Sequence, residues 1–153
     1  KKGFTDYLSA LDAFSEDRDP LIMGSISDDL FSLYLVDPEN DKLKARLLEY
    51  LHKFNSVLGE PAKGEKHALT VARGAIRSRL VQLDHEYAKQ VAGSFSKYDT
   101  YDPNLRRSLA LAYALTENNA SRLIEKIKST KKDDARQHLI YSLGYLGEAR
   151  TIP

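Results

Sequence analysis

Residues 43–54 read LKARLLEYLHKF, a stretch in which apolar side chains recur three and four positions apart. This is the period of an α-helix with one apolar face, and not the alternation of a half-buried strand. The positions on this face are Leu43, Leu47, Leu48, Leu51 and Phe54. No Asn-Gly or Asp-Gly hairpin turn occurs anywhere in the chain, so we expect no β-sheet.

Similar apolar stripes, separated by short polar breaks, divide the whole chain into predicted helices. Three Asp-Pro pairs, at 19–20, 37–38 and 102–103, each place an N-cap acceptor before the residue that tolerates the first helical position. The predicted helices span residues 4–14, 20–36, 40–57, 65–82, 85–97, 103–116, 119–130 and 134–147. Because the connections are short, we expect neighbouring helices to be antiparallel, as in stacked helical hairpins.

A weak internal repeat favours such stacking. Three positions recur 32 residues later and two recur 30 residues later. The pairs are Ala88 and Ala120, Val91 and Leu123, Phe95 and Ile127, Arg106 and Arg136, and Leu109 and Leu139. Helix pairs of about 30 to 47 residues are the repeating unit of helical solenoids. The prediction is an all-α domain of stacked antiparallel hairpins, and a plain helical bundle is the alternative.

The composition is that of one globular domain covering residues 1–153, in which 42% of residues are hydrophobic and 29% are charged. The formal net charge of +1 argues against a nucleic-acid-binding surface. The lysine-rich stretch KSTKKDDAR, at 128–136, is interpreted as a solvated helix junction because two aspartates follow the lysines. No apolar run approaches the roughly 18 residues of a membrane span, and the chain has no cysteine, so we expect a cytoplasmic protein. Both ends are interpreted as cuts in a longer protein.

Possible metal and catalytic motifs were tested against helical geometry. HEYAK, at 85–89, begins like the zincin motif His-Glu-x-x-His, but Lys89 stands where the second histidine would be and cannot bind zinc. Glu65 and His67 are two residues apart, which places them about 200 degrees apart around a helix. The other histidines, His52 and His138, have no ligand partner one helical turn away. We therefore predict no metal site and no catalytic residue in this chain.

The arginines are the remaining candidates for a functional site. Arg73 and Arg77 are four residues apart on one predicted helix, and Arg106 and Arg107 begin another. An arginine on the inner side of a helical stack could hold a carboxylate through two parallel hydrogen bonds. The alternative is ion pairing within the domain, with acidic partners that would be Glu65, Asp84 or Glu86.

Three segments, taken in order, resemble the C-terminal helical domain of zinc aminopeptidases of the puromycin-sensitive, endoplasmic-reticulum and tricorn-interacting type. LGEPAKGEKHALTVARGAI, at 58–76, is similar to the family's loop Leu-Gly-x-x-x-x-x-Gly-Glu and the arginine-bearing helix after it. DPNLRRSLALAYAL, at 102–115, is similar to its Pro-x-Leu-Arg helix, and ARQHLIYSLGYLGEA, at 135–149, to its Leu-x-x-Leu-Gly helix. The short connections indicate the archaeal, tricorn-interacting branch.

The resemblance implies an armadillo- or HEAT-like superhelical domain whose catalytic domain, with its zinc, lies upstream and outside this chain. Such a domain closes over the catalytic domain, and the chamber so formed admits peptides. Arg73 and Arg106 occupy the family's arginine positions, so the resemblance implies that they bind the carboxylate of a peptide substrate. The implied partners are peptide substrates, the enzyme's own catalytic domain and a tricorn-like protease, with no nucleic acid and no membrane.

A second hypothesis comes from a different class. The chain would be a free-standing helical-repeat module that binds other proteins along its groove. The reading frame around the chain separates the two hypotheses: an upstream His-Glu-x-x-His motif supports the aminopeptidase, and a start codon directly before Lys1 supports the module.

Overall fold

The computed structural model describes residues 2–14, 16–117 and 119–147, and the side chains from residue 6 onward. The described residues form α-helices and short 3-10 helices and contain no strand, so the all-α prediction is confirmed for them. The helices are α1 Lys2–Asp12, α2 Pro20–Val36, α3 Asp41–Leu58, α4 His67–Leu83, α5 His85–Ala92, α6 Arg106–Glu117, α7 Ala120–Ser129 and α8 Asp133–Ser142. The 3-10 helices are Phe95–Thr100, Pro103–Leu105 and Leu143–Tyr145. The armadillo- or HEAT-like superhelix stays a prediction.

The chain forms two compact units, residues 1–76 and 77–153, and the division falls inside α4. In the first unit, α2 packs against α3. The buried face of α3 contains four of the five positions predicted from the period of 43–54, together with Tyr50 and Leu58. Tyr50 also donates a 2.7 Å hydrogen bond to Asp12 at the end of α1. The apolar stripe therefore identified the residues that form this unit's core.

The second unit is built around α6. This helix is buried on almost all sides, from Ser108 to Leu115, which is typical of a helix enclosed by its neighbours. It packs against α5 on one side and α8 on another, and α7 also contacts α8. Phe95 stacks on Tyr113 with ring centroids 3.8 Å apart, which joins the 3-10 helix after α5 to the core. Arg106, one of the predicted site residues, is the first residue of α6.

Several helix boundaries differ from the sequence prediction, most clearly at Asp37, after Ala92 and at the end of α8, which stops at Ser142 rather than 147. Asp37 does not start a helix: its N–H bonds to the carbonyls of Leu33 and Tyr34, so it ends α2, and Asn40 caps α3 instead. The helix predicted over 85–97 ends at Ala92, because Gly93 and Ser94 interrupt it and a 3-10 helix follows. The predicted N-cap role of Asp19 is confirmed, because its carboxylate accepts a 2.8 Å hydrogen bond from the Leu21 N–H at the start of α2. Among the described residues, no helix is both long and apolar enough to cross a membrane.

Candidate functional site

Arg73 lies on α4 in the first unit and is 2% exposed. Its guanidinium makes four hydrogen bonds. Two go to the carboxylate of Glu65, at 2.5 and 2.7 Å, and two go to the carbonyls of Leu58 and Gly59, at 3.0 and 2.9 Å. A guanidinium has five N–H donors, so this environment uses all but one of them.

The partners of Arg73 are fixed by how α3 ends. Leu58 is the last residue of α3, and Gly59 follows with a φ of 57°, a backbone conformation that favours glycine. Carbonyls at the C-terminal end of a helix lack intrahelical partners and carry the negative end of the helix dipole, so they suit a cation. Arg73 therefore ties the end of α3 to α4 within one unit.

Glu65 completes this arrangement. It was predicted to lie in the first turn of the helix, but α4 begins at His67 and Glu65 lies just before it. The hydrogen bonds from Arg73 are the main reason why the pKa of Glu65 is lowered to about 2. Thr70 also donates to the Glu65 carboxylate, at 3.2 Å. The sequence offered Glu65, Asp84 and Glu86 as acidic partners for the arginines. Arg73 pairs with Glu65. The substrate role of Arg73 stays a prediction, and its donors are largely engaged.

Arg106 is the first residue of α6, in the second unit, and is 3% exposed. It is as buried as Arg73 but is bound differently. Its Nη2 donates a 3.0 Å hydrogen bond to the carbonyl of Asp99. Its Nε and Nη1 have no hydrogen-bond partner among residues 2–14, 16–117 and 119–147. Leaving buried donors unpaired costs about 1–3 kcal/mol each, and more when the group is charged, so a partner for this guanidinium would stabilise the fold.

A cavity of about 240 Å³ lies beside this guanidinium. We call it the Arg106 cavity, and its walls come from three places in the second unit: the 3-10 helix after α5, the start of α6, and the connection from α7 to α8. The residues that line it are Asp99, Arg106, Ser129, Thr130, Lys131, Lys132 and Ala135. Three of these side chains are cationic and one is anionic.

The charges around the Arg106 cavity favour an anion. The single acidic wall residue, Asp99, is already paired with Lys126 at 2.5 Å. The α7–α8 connection brings the N-terminal end of α8 to the cavity, and the N-cap residue there, Lys132, makes no side-chain capping hydrogen bond. Helix N-termini carry a partial positive charge and present backbone N–H groups to anions. The pKa of His138 on α8 is also lowered. Burial is the main cause, and the charges of Arg107 and Arg106 lower it further, whereas the charge of Asp134 raises it.

The hydroxyl groups in the wall already have partners. Ser129 and Thr130 each donate to the Lys126 carbonyl, at 3.1 and 2.8 Å. The donors that remain for a ligand are therefore the arginine, the two lysines and the first-turn amides of α8. Such a set can bind an oxyanion, because carboxylate and phosphate oxygens are strong acceptors for guanidinium and ammonium groups.

The other candidates from the sequence lie apart from this cavity. His85 and Glu86 are exposed in the first turn of α5, and Glu86 pairs with Lys89 at 2.9 Å. His67, the first residue of α4, is also exposed. In the part of the chain that the structure describes, no group of three or more His, Cys, Asp or Glu residues is arranged to hold a metal ion.

Sequence reasoning missed Thr130, Lys131 and Lys132. These residues belong to KSTKKDDAR, which was interpreted only as a solvated junction between helices. The lysine run was the one signal available, but nothing in the sequence showed that the junction packs beside Arg106, more than 20 positions earlier.

The chain matches several curated archaeal proteins over nearly its whole length. It is 29% identical over 140 residues to "Tricorn protease-interacting factor F2" of Thermoplasma acidophilum, and 29% identical over 140 residues to the factor of the same name in Thermoplasma volcanium. It is 28% identical over 138 residues to "Leucyl aminopeptidase" of Saccharolobus solfataricus. These matches cover 92%, 92% and 89% of the chain.

The chain is homologous to a segment of archaeal aminopeptidases. The resemblance drawn from the sequence motifs is therefore confirmed at the level of an aminopeptidase-family domain. This aminopeptidase homologue spans less than a fifth of its relatives, 18% of either factor F2 and 17% of the leucyl aminopeptidase. No family model matches the chain.

Proposed function

We propose that this chain is the non-catalytic C-terminal domain of a zinc metalloaminopeptidase, that it closes the peptide chamber, and that it selects or holds peptides for removal of their N-terminal residue. The observation that carries the proposal is the extent of the matches, which cover 92% of the chain but only 18% of the first relative. A segment of this size is a minor part of the relatives' length, and most of that length lies outside it.

The catalytic zinc of the parent enzyme would activate a water molecule for attack on the first peptide bond. We propose that this zinc lies in a catalytic domain outside this chain, as the family resemblance implies. The role proposed for the chain's own residues is binding and orientation, and these depend on charge and hydrogen-bond geometry rather than on the metal.

Arg106 is the residue that we propose for holding the peptide carboxylate. Its guanidinium lines a cavity and has no carboxylate partner among the described residues, so a substrate carboxylate would supply the missing counter-charge. Arg73 is the weaker of the two candidates from the sequence, because Glu65 and two carbonyls already occupy four of its donors. Peptide substrates and the enzyme's own catalytic domain are the proposed partners. The name of the first relative supports a tricorn-like protease as a further one.

The test compares one peptide with a free C-terminal carboxylate and the same peptide with a C-terminal amide, in the intact parent enzyme. Replacing Arg106 with Met should lower kcat/KM for the free-carboxylate peptide about 10-fold relative to the amide, which corresponds to the roughly 1.4 kcal/mol of a charge-assisted hydrogen bond. The control is Lys128→Gln, a loss of one exposed charge on α7 outside the cavity.

The control variant should leave the ratio of the two rates unchanged. Equal losses for the free and the amidated peptide in Arg106→Met would remove Arg106 from the substrate path. Hydrolysis of aminoacyl-anilide substrates by this chain alone, in the presence of a metal chelator, would contradict its assignment as a non-catalytic domain.

A further inference from the structure

We infer that the Arg106 cavity is a binding site for a free, phosphate-sized dianion, formed by the guanidinium of Arg106, the ammonium groups of Lys131 and Lys132, and the N-terminal end of α8. Neither the matches to relatives nor the sequence motifs point to an inorganic ion at this place. The inference comes from four features of the second unit, namely donors without partners, a helix end, a charge excess and a volume.

The first feature is the pair of unpartnered donors. Nε and Nη1 of Arg106 are buried and lack partners in the described part of the chain, while Nη2 is held by the Asp99 carbonyl. The bond to Asp99 fixes the orientation of the guanidinium plane. A buried guanidinium without a carboxylate partner among the described residues favours an oxyanion beside it, because the anion supplies the missing counter-charge.

The second feature is the end of α8. This helix has 10 residues and begins at Asp133, and Lys132 before it provides no side-chain acceptor for the first-turn amides. An N-cap side chain such as Ser, Thr, Asp or Asn would normally accept from these amides. Lys132 and Ala135 both line the Arg106 cavity, so the uncapped turn lies in the same wall as the two lysines. A phosphate group at a helix N-terminus is stabilised by these amides and by the helix dipole.

The third feature is the charge balance, which favours a dianion over a single carboxylate. The walls contribute three cationic groups, whereas Asp99 is compensated by Lys126. Asp133 and Asp134 in the first turn of α8 do not line the cavity, and Asp133 is 95% exposed and lies 3.6 Å from Arg136. Inorganic phosphate at neutral pH carries more negative charge than a carboxylate and offers at least three acceptor oxygens, so it can pair with more of these cationic groups than a carboxylate does.

The fourth feature is size. A volume of about 240 Å³ is many times the roughly 10–15 Å³ that one water molecule needs. This accommodates one tetrahedral oxyanion together with several ordered waters, which is more room than a single carboxylate group needs.

The consequence for function rests on the proposed role in peptide binding. If Arg106 also holds the carboxylate of a peptide, the free anion and the peptide compete for the same guanidinium. Phosphate would then regulate how strongly the domain holds peptides.

The test measures binding of inorganic phosphate to this chain by isothermal titration calorimetry, with sodium chloride used to keep the ionic strength constant. We expect saturable binding of one phosphate per chain. The double variant Lys131→Gln/Lys132→Gln should weaken phosphate binding at least 10-fold. Both lysine side chains are exposed, so the variant should keep the fold. The matched control is Lys97→Gln/Lys128→Gln, which removes two exposed lysines of the same unit that do not line the cavity.

Three outcomes would overturn the inference. One is the absence of saturable phosphate binding up to about 50 mM, well above the millimolar range of weak specific sites, which would mean that water satisfies the Arg106 donors. Another is an equal loss of phosphate affinity in the control variant, which would show that binding depends on the overall charge of the unit and not on this cavity. The last is tighter binding of a phosphoserine peptide than of inorganic phosphate, which would assign the cavity to a phosphorylated chain rather than to a free ion.

A displacement experiment separates this inference from the proposed function. A peptide with a free C-terminus should displace phosphate, and the amidated peptide should not. If phosphate binds but neither peptide displaces it, the anion site stands, and the competition and the proposed carboxylate contact of Arg106 are both wrong. If the peptide discrimination by Arg106 holds in the parent enzyme but phosphate does not bind, the proposed function stands and the anion site is wrong.

Discussion

Arg73 in the first unit and Arg106 in the second are buried to the same degree, 2% and 3% exposed, yet their surroundings are opposite. Arg73 has a carboxylate partner and two helix-end carbonyls, which together take four hydrogen bonds. Among the described residues, Arg106 has one carbonyl partner and two unpaired nitrogens, and a cavity lies beside it. Burial alone therefore does not distinguish an arginine whose donors the described residues pair from one whose donors they leave unpaired.

The difference lies in where each residue's counter-charge comes from. For Arg73 the chain supplies it, in Glu65, and the ion pair closes the loop between α3 and α4. For Arg106 the nearest carboxylate in the wall belongs to Asp99, whose charge is compensated by Lys126, and only the Asp99 carbonyl bonds to the guanidinium. A buried cation whose charge is not matched by the protein costs stability unless something else pairs with it. We interpret Arg73 as structural and Arg106 as functional on this basis.

The largest effect should appear when each arginine is replaced by methionine, which has a similar shape and no charge. Arg73→Met leaves the Glu65 carboxylate and the two carbonyls without their donor, so we expect it to lower the free energy of unfolding by about 3 kcal/mol. Arg106→Met removes an incompletely paired charge, so in phosphate-free buffer we expect a change within about 1 kcal/mol. Urea unfolding followed by circular dichroism measures both values.

Equal losses in the two methionine variants would break the comparison, because they would show that Arg106 supports the fold as much as Arg73 does. Addition of phosphate should raise the urea midpoint of the wild-type chain and of Arg73→Met, and it should leave Arg106→Met unchanged. The response to phosphate thus separates a folding defect from the loss of a binding group.

A smaller effect is expected in acid, through Glu65. Its pKa of about 2 in the folded chain lies below the ordinary value of 4.5, so its ionised form favours folding. This contribution is complete above pH 4.5 and is lost as the pH falls towards 2. Glu65→Gln should therefore be less stable than the wild type at pH 7, and the difference should shrink between pH 4.5 and 2.

The control for the acid experiment is Glu39→Gln, which changes an exposed carboxylate in the connection between α2 and α3. It should follow the wild-type pH profile. A Glu65→Gln variant whose difference from the wild type stays constant down to pH 2 would show that the ion pair with Arg73 does not stabilise the fold.

Local sequence patterns predicted most of the helices because each helix is defined by apolar spacing and caps within its own segment. The stripe of α3 and the N-cap at Asp19 are of this kind. The prediction was wrong at Asp37, because an aspartate before proline can end one helix as well as begin the next. It was also wrong after Ala92, where the apolar spacing continued but Gly93 and Ser94 changed the helix type.

The site was predictable only in part, for a physical reason. The sequence singled out Arg73 and Arg106 and included Glu65 among the possible ion-pair partners, because the two motifs stand out locally. It could not assign different roles to the two arginines, since each role depends on groups brought close by folding. The carbonyls of Leu58 and Gly59 and the lysines at 131–132 become neighbours of their arginines only when the helices have packed.

The most direct test of the comparison observes both arginines in one sample. The side-chain Nε–H groups of Arg73 and Arg106 give separate signals in a proton–nitrogen correlation spectrum, and the two methionine variants assign them. On titration with phosphate at constant ionic strength, the Arg106 signal should shift and saturate while the Arg73 signal stays in place. An Arg106 signal that does not respond, or an Arg73 signal that moves with it, would contradict the division of roles between the two residues.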